Sequence, residues 1–261
     1  MIAIGDYVTR KSYNNDIIFE VMEIDKDNVM LKGVDFRLMA DAPMHDLVPF
    51  DRNTAKDDFF PILGLTSNLD RNEFFYLPGK VLHIDADKSY MTRCMDFYKQ
   101  NNIKAFGKCV KESEMHKEVG KLLETYNPDI LILTGHDAYY KKREKESNTN
   151  KLYKNSENFC KAVIEARKYE KSSDKLIIIA GACQSNYQEL IKAGATFASS
   201  PERINIHALD PAIIATSLSL SDRNEEVNLL ELLSKTKYGK AGMGGLKSKG
   251  MMYTGYPRSD E

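Results

Sequence analysis

Two short apolar runs stand out in the hydrophobic pattern, Pro128–Ala138 (PDILILTGHDA) and Lys175–Ser185 (KLIIIAGACQS). Each is built from leucine and β-branched residues. Each ends in a small-residue turn bearing one reactive side chain, His136 on the first and Cys183 on the second. Runs of this length, separated by a helix-period segment, predict buried parallel strands. In open α/β sheets, functional groups gather at the carboxyl ends of such strands. Neighbouring strands would place the imidazole and the thiol on one crevice. A base within reach is what a thiol of ordinary pKa needs to act as a nucleophile.

The rest of the pattern divides the chain. Residues 4–49 read as short strands (IGDYVTR, IIFEVMEI, NVMLKG, DFRLMA) broken at Asn14-Asn15, Asp27-Asn28 and Gly33, with no helical period between them. They predict a small SH3-like β-barrel over 1–50, with a docking or structural role. His45 lies in its last segment and reads as a surface or packing residue. Residues 51–79 mix charge with FFPILGL and EFFYLPG and read as a linker that packs its aromatics on a neighbour.

From Lys80 strands and helices alternate. KVLHIDAD and IKAFGKCV read as strands. KSYMTRCMDFYKQNN, SEMHKEVGKLLETY (capped by Ser113) and NSENFCKAVIEARKYE (capped by Asn155 or Ser156) read as helices. After the Cys183 strand come helix SNYQELIKAG, two further strands in ATFASSP and RINIHAL, and a helix opened by Pro211. EVNLLELLSKTK is the last helix. Residues 139–154 form a charged, irregular stretch suited to a surface lid or a cleavable loop. Residues 239–261 hold six glycines with lysines and read as a mobile Gly/Lys-rich tail. The alternation over 80–238 predicts an α/β domain with a parallel-rich sheet flanked by helices.

Composition narrows the function. Lys+Arg 37 against Asp+Glu 38 gives no basic field, so nucleic acid is not an expected partner. No apolar run approaches the roughly 18 residues of a membrane span. The start MIAIGDYVTRKS carries no secretory pattern. The expectation is a cytoplasmic protein with neither membrane nor nucleic-acid partners and no cofactor. Cys94, Cys109, Cys160 and Cys183 show no CxxC or metal-ligand spacing and read as thiols of a reducing compartment. Cys94 and Cys160 fall on helix faces as small core hydrophobes.

Around Cys183 the string Gly181-Ala182-Cys183-Gln184-Ser185 permits a sharp turn and places the thiol near the next helix start, whose dipole favours a thiolate. A buried cysteine in a tight turn is the plainer alternative. The order of histidine before an Ala-Cys pair, about 50 residues apart, matches caspase-type spacing. Gln184-Ser185 and Asp137 depart from the caspase strings. At the end of His83-Ile84-Asp85-Ala86-Asp87, the acids Asp85 and Asp87 read in three ways. They could form a substrate-binding pocket selecting Arg over Lys, cap the following helix, or form a metal-binding pair. Asp137 and Asp210 are the next acids to consider for that pocket. His207 is an alternative base or a structural histidine. Gly242-Met243-Gly244-Gly245 follows no predicted strand and is discounted as a phosphate loop.

GDYVTRKSY, LHIDAD, ILTGHDA, NSENF with ARKYE, AGACQS and ASSPERINIHALDP together resemble the YabG family of sporulation-specific proteases. The resemblance covers nearly the whole chain. It implies a cysteine peptidase of the mother-cell cytoplasm, associated with the forming spore coat. It also implies that the peptidase trims coat and cortex-processing proteins beside basic residues. His136 in ILTGHDA and Cys183 in AGACQS match the family's proposed catalytic pair. A caspase-like fold for this half follows from order and spacing.

The expected chemistry is attack by Cys183 on the scissile carbonyl, with His136 handling the leaving-group proton. The backbone N–H groups of Cys183 and Asp137 would form the oxyanion hole. No third member is assigned. Self-cleavage is expected after Lys142, Arg143 or Lys145, or at Lys247, Lys249 or Arg258. Two alternatives stay open: a cysteine amidohydrolase or amidotransferase-like enzyme with a Cys183–His207 pair, and a non-enzymatic coat assembly module.

Overall fold

The computed structural model describes residues 2–51, 73–140 and 152–258. The chain divides into two compact units, Met1–Phe60 and Pro61–Glu261.

In the first unit, β1 (Tyr7–Arg10), β2 (Phe19–Asp25), β3 (Asn28–Gly33), β4 (Met39–Pro43) and β5 (Leu47–Pro49) form one antiparallel sheet, in the order β4-β3-β2-β1-β5. Val8, Phe19, Val21, Val29 and Leu31 are buried on one face, as period-two alternation requires. The segment DFRLMA becomes strand only from Met39. His45 lies in a short turn between β4 and β5, where its carbonyl accepts from Lys11 Nζ at 3.0 Å.

The second unit is built on a six-stranded sheet. Its strands are β7 (Val81–Asp85), β8 (Ala105–Cys109), β9 (Ile130–Thr134), β10 (Ile177–Ala180), β11 (Phe197–Ser199) and β12 (Met243–Gly245), in the order β12-β11-β10-β9-β7-β8. All pairings are parallel except β11–β12. Leu82, Ile84, Leu131, Leu133, Ile178 and Ala180 point to one face. There they pack under α2 (Met115–Tyr126), α3 (Ser156–Tyr169) and α4 (Tyr187–Ala193) through Val119, Leu123, Phe159, Val163 and Leu190. Alternate residues serve the opposite face, where His83 meets Tyr98 of α1 (Lys88–Gln100). α5 (Asp210–Ser219), which lies against β9 and β10, is buried along all ten residues. Apart from Asp210 its residues are apolar or small and uncharged, as such a position needs. α6 (Leu229–Ser234) follows.

Several expectations change. Ser113 does not cap α2, which starts after Glu114 without a side-chain cap. RINIHAL forms no strand. The backbone groups of Ile204 and Ile206 bond to the Cys183 turn instead of a strand ladder. The 239–258 stretch is built into the unit and is no loose tail: β12 closes one sheet edge and β13 (Tyr253–Gly255) pairs with β6 (Phe75–Leu77). Met243, Met251 and Met252 are buried. The expected cleavage points Lys142, Arg143 and Lys145 lie outside the described residues, as does most of the linker over 51–79.

Candidate active site

The site follows from register. Ile84 of β7 and Ala180 of β10 both pair with Leu133 of β9. Asp87, His136 and Cys183 each lie three residues beyond those partners. The three turns therefore leave the same sheet edge side by side, in the order Asp87, His136, Cys183.

The Asp87 turn is fixed first. Asp85 is fully buried, and its Oδ1 accepts the Asp87 N–H at 2.8 Å. Asp87 is the N-cap of α1. Its Oδ1 accepts the Ser89 N–H at 2.9 Å, the Ser89 hydroxyl at 2.7 Å and the Tyr90 N–H at 3.3 Å. The other oxygen, Oδ2, lies 3.1 Å from His136 Nε2. The helix cap thus leaves one carboxylate oxygen for the imidazole. Both side chains are only about one-seventh exposed, at 15% for His136 and 13% for Asp87.

His136 is also held through its backbone. Its N–H donates to Glu112 Oε1 at 2.9 Å, and its carbonyl accepts from Asn155 Nδ2 at 2.8 Å. A Cβ at Gly135 would stand 2.6 Å from Glu112 Oε1, so a larger residue there would push that carboxylate off the His136 N–H. The Tyr90 ring lies 5.6 Å from the imidazole. Asn155 spends its amide on His136 and does not cap α3 through its side chain.

Asp137 turns inward. Its Oδ1 accepts the Ala138 and Asn155 N–H groups at 2.9 and 2.7 Å. Its Oδ2 accepts the Ser156 and Ser185 hydroxyls at 2.5 and 2.9 Å. Burial raises the Asp137 carboxyl above its ordinary pKa, outweighing the opposing effect of those four bonds. Ser185 Oγ also accepts the Ala182 N–H at 2.9 Å. Asp137 is therefore committed to binding the His136 turn, α3 and the Cys183 turn together. The Asp137 N–H donates to no partner among the described residues.

The Cys183 turn needs Gly181 at φ +106° and Gln184 at φ 57°. Cys183 is fully buried. Its Sγ accepts the Ile206 N–H at 3.3 Å and faces the Ile206 carbonyl at 3.6 Å. The donor at the sulfur is thus a neighbouring loop amide, while α4, expected to lend its dipole, begins at Tyr187 and spans seven residues. The Gln184 amide accepts the Tyr139 N–H at 3.2 Å and donates to Asn205 at 3.1 Å. Arg203 stacks over Tyr139 at 4.6 Å.

The remaining candidates fall elsewhere. His207 is buried, and its Nδ1 accepts the Leu209 N–H at 3.2 Å. Asp210 is buried and accepts the N–H groups of His207 and Lys237 at 2.9 Å each. Asp85 and Asp210 are thus enclosed and hold backbone. Asp87, by contrast, caps α1 and keeps a partly exposed side chain. Among the described residues no cluster of three His, Cys, Asp or Glu could hold a metal ion. Cys94 is buried, Cys109 exposed, and Cys160 partly buried with its thiol pushed up to about 11 by burial. The Asp87–His136 contact escaped the sequence reading, although the Asp87–Ser89 spacing carried the cap that positions it.

A parallel-rich α/β sheet with an imidazole–carboxylate pair and a cysteine turn on adjacent strand ends places the chain among α/β proteins that carry their candidate site at the carboxyl edge of the sheet. The chain belongs to the YabG peptidase U57 family, whose model matches residues 3–59 and 65–257. It is 37% identical to the sporulation-specific protease YabG of Bacillus subtilis (strain 168), over 97% of this chain and 97% of that relative. By family the chain is a peptidase. Among the described residues no helix is long and apolar enough to cross a membrane.

Proposed function

We propose that the chain is a sporulation-specific cysteine endopeptidase in which Cys183 is the nucleophile and His136 its acid–base partner. The observation that carries this reading is the equivalent placement of the two residues on hydrogen-bonded parallel strands, three residues past Leu133 and Ala180. Cys183 Sγ bonds to the scissile carbonyl carbon and the thiol proton passes to His136. The C–N bond then breaks, and the amine leaves with that proton. Water attacks the thioester, giving up a proton to His136, and the acid departs as the thiol re-forms. The N–H groups of Asp137 and Cys183 stabilise the oxyanion; the lack of a partner for the Asp137 N–H among the described residues supports this role.

The α/β unit is caspase-like in the order and placement of histidine and cysteine. The first unit is an SH3-like docking barrel. The substrates are spore coat and cortex-processing proteins, cut after Arg or Lys in the mother cell. Family membership and the relative's sporulation-specific name support this assignment.

The experiment is incubation of wild-type and Cys183→Ala protein with a spore-coat protein extract, with new termini mapped by mass spectrometry. Wild type should generate termini after Arg or Lys and the variant none. Equal termini from both would refute the reading. Cys183–His207 pairing is disfavoured by the Leu209 N–H bond to His207 Nδ1, which occupies one basic nitrogen.

A further inference from the structure

We infer that Asp87 is the positioning residue for His136, completing a Cys183–His136–Asp87 arrangement. The inference rests on the cysteine-peptidase reading and deepens it.

An ionised carboxylate only accepts hydrogen bonds. With Asp87 Oδ2 at 3.1 Å from Nε2, the neutral imidazole carries its proton on Nε2. Nδ1 is then the basic nitrogen and the one that takes the thiol proton. Without that partner the two tautomers compete and the ring is free to rotate about its side-chain bonds.

Asp87 is built to hold this orientation. Its backbone N–H is tied to buried Asp85, and its Oδ1 is fixed by three donors from the first turn of α1. The carboxylate plane is set by the helix cap, so Oδ2 needs no further ordering to meet the imidazole. The His136 backbone is clamped independently by Glu112 and Asn155. Both ends of the Asp87–His136 contact are therefore pre-positioned, and both side chains are largely withdrawn from water. Residues that orient a catalytic imidazole need this combination. A substrate-facing pocket acid needs the opposite, a free pair of oxygens for an arginine fork.

The cap role makes the idea separable from stability. Asn and Ser are N-caps nearly as good as Asp. Asp87→Asn keeps the cap, and its amide would donate to Nε2 and force the proton onto Nδ1. Asp87→Ser keeps the cap and removes the partner. Both variants should keep the wild-type melting temperature to within a few degrees.

The test combines histidine NMR with kinetics. In protein labelled with nitrogen-15 at histidine, the His136 signal, assigned by its loss in His136→Gln, should report Nε2 protonation in wild type. It should shift to Nδ1 protonation in Asp87→Asn. On peptides with Arg, Lys or Gln before the scissile bond, Asp87→Asn should lower kcat about 10²–10⁴-fold, as expected for a wrong tautomer. KM and the Arg-to-Gln ratio should stay within about twofold. Wild-type His136 protonated on Nδ1, or kcat retained in both variants, overturns the inference. Loss of Arg preference at unchanged kcat also overturns it and makes Asp87 a pocket acid. Full cleavage by Cys183→Ala would instead remove the cysteine-peptidase reading itself, and the tautomer measurement would not detect that.

Discussion

Asp137 Oδ2 and Ser185 Oγ meet at 2.9 Å, fastening the turn after β9 to the turn after β10. His136 precedes Asp137, and Cys183 lies two residues before Ser185. Their separation thus depends on this bond as well as on the sheet. Asp137→Ala leaves two hydroxyls and two N–H groups without their acceptor. Buried groups of this kind cost about 1–3 kcal/mol each when unsatisfied, less whatever water recovers. The expected result is a loss of at least about 3 kcal/mol in urea unfolding, with activity per folded molecule also reduced. Normal turnover in a folded Asp137→Ala protein would show that the fastening does not matter.

The same residue predicts a pH dependence. Burial raises the folded-state pKa of Asp137 above its ordinary value of 3.8. Above that unfolded value the folded state binds more protons than the unfolded one, so this group's contribution falls as pH rises through the raised folded pKa. Asp137→Asn removes the titration. The stability of wild type minus that of Asp137→Asn should therefore be larger near pH 4 than near pH 7. Wild type gaining on the variant as pH rises would contradict the account.

Gly181 sits at φ +106°, and an added Cβ would collide with Ser199 Oγ and stand 2.8 Å from Leu190 Cδ1. Gly181→Ala should cost about 2 kcal/mol or more through left-handed strain and overpacking. It should also displace the Cys183 turn, so kcat/KM should fall by more than the folded fraction does. A kcat/KM loss no larger than the unfolded fraction would show that the turn tolerates the change.

Access separates the four thiols. Cys109 is exposed, whereas Cys94 and Cys183 are fully buried and Cys160 is partly buried with a raised pKa. A small neutral alkylating reagent should modify Cys109 first, although burial and the nearby Asp85 and Asp87 charges raise its pKa. Peptide mapping after brief iodoacetamide treatment reads the order. Modification of Cys183 ahead of Cys109 would show that the Ile206 segment does not cover the sulfur.

The two histidines separate the competing enzyme readings. His136→Ala should abolish cleavage. His207→Asn, which retains an acceptor for the Leu209 N–H, should keep turnover within about tenfold. The reverse pattern would favour the Cys183–His207 pair.

Much of this frame was legible in the sequence because local pattern determined it. Buried strands such as ILILT and IIIA carry unbroken apolar runs, and the turns after them advertise themselves through Gly135 and Gly181. What escaped depends on pairing between distant segments. The Asp87–His136 contact follows from the β7–β9 register, which no local pattern encodes. RINIHAL looks like a strand by β-branching, yet its backbone closes over Cys183. The glycines near residue 244 read as flexibility but permit close approach: a Cβ on Gly244 would stand 2.9 Å from the Tyr187 ring, and one on Gly245 would strike the Phe197 ring. Antiparallel β12 can complete the sheet only because those side chains are absent.

The central claim is that Cys183 is the nucleophile. A peptide acyloxymethyl ketone with arginine at the position before the warhead tests it most directly, read by intact mass and peptide mapping. The account predicts a single adduct on Cys183, formed at a rate that collapses in His136→Ala, together with complete loss of peptidase activity. An adduct on another residue with activity lost, or full activity persisting after quantitative modification of Cys183, would contradict it.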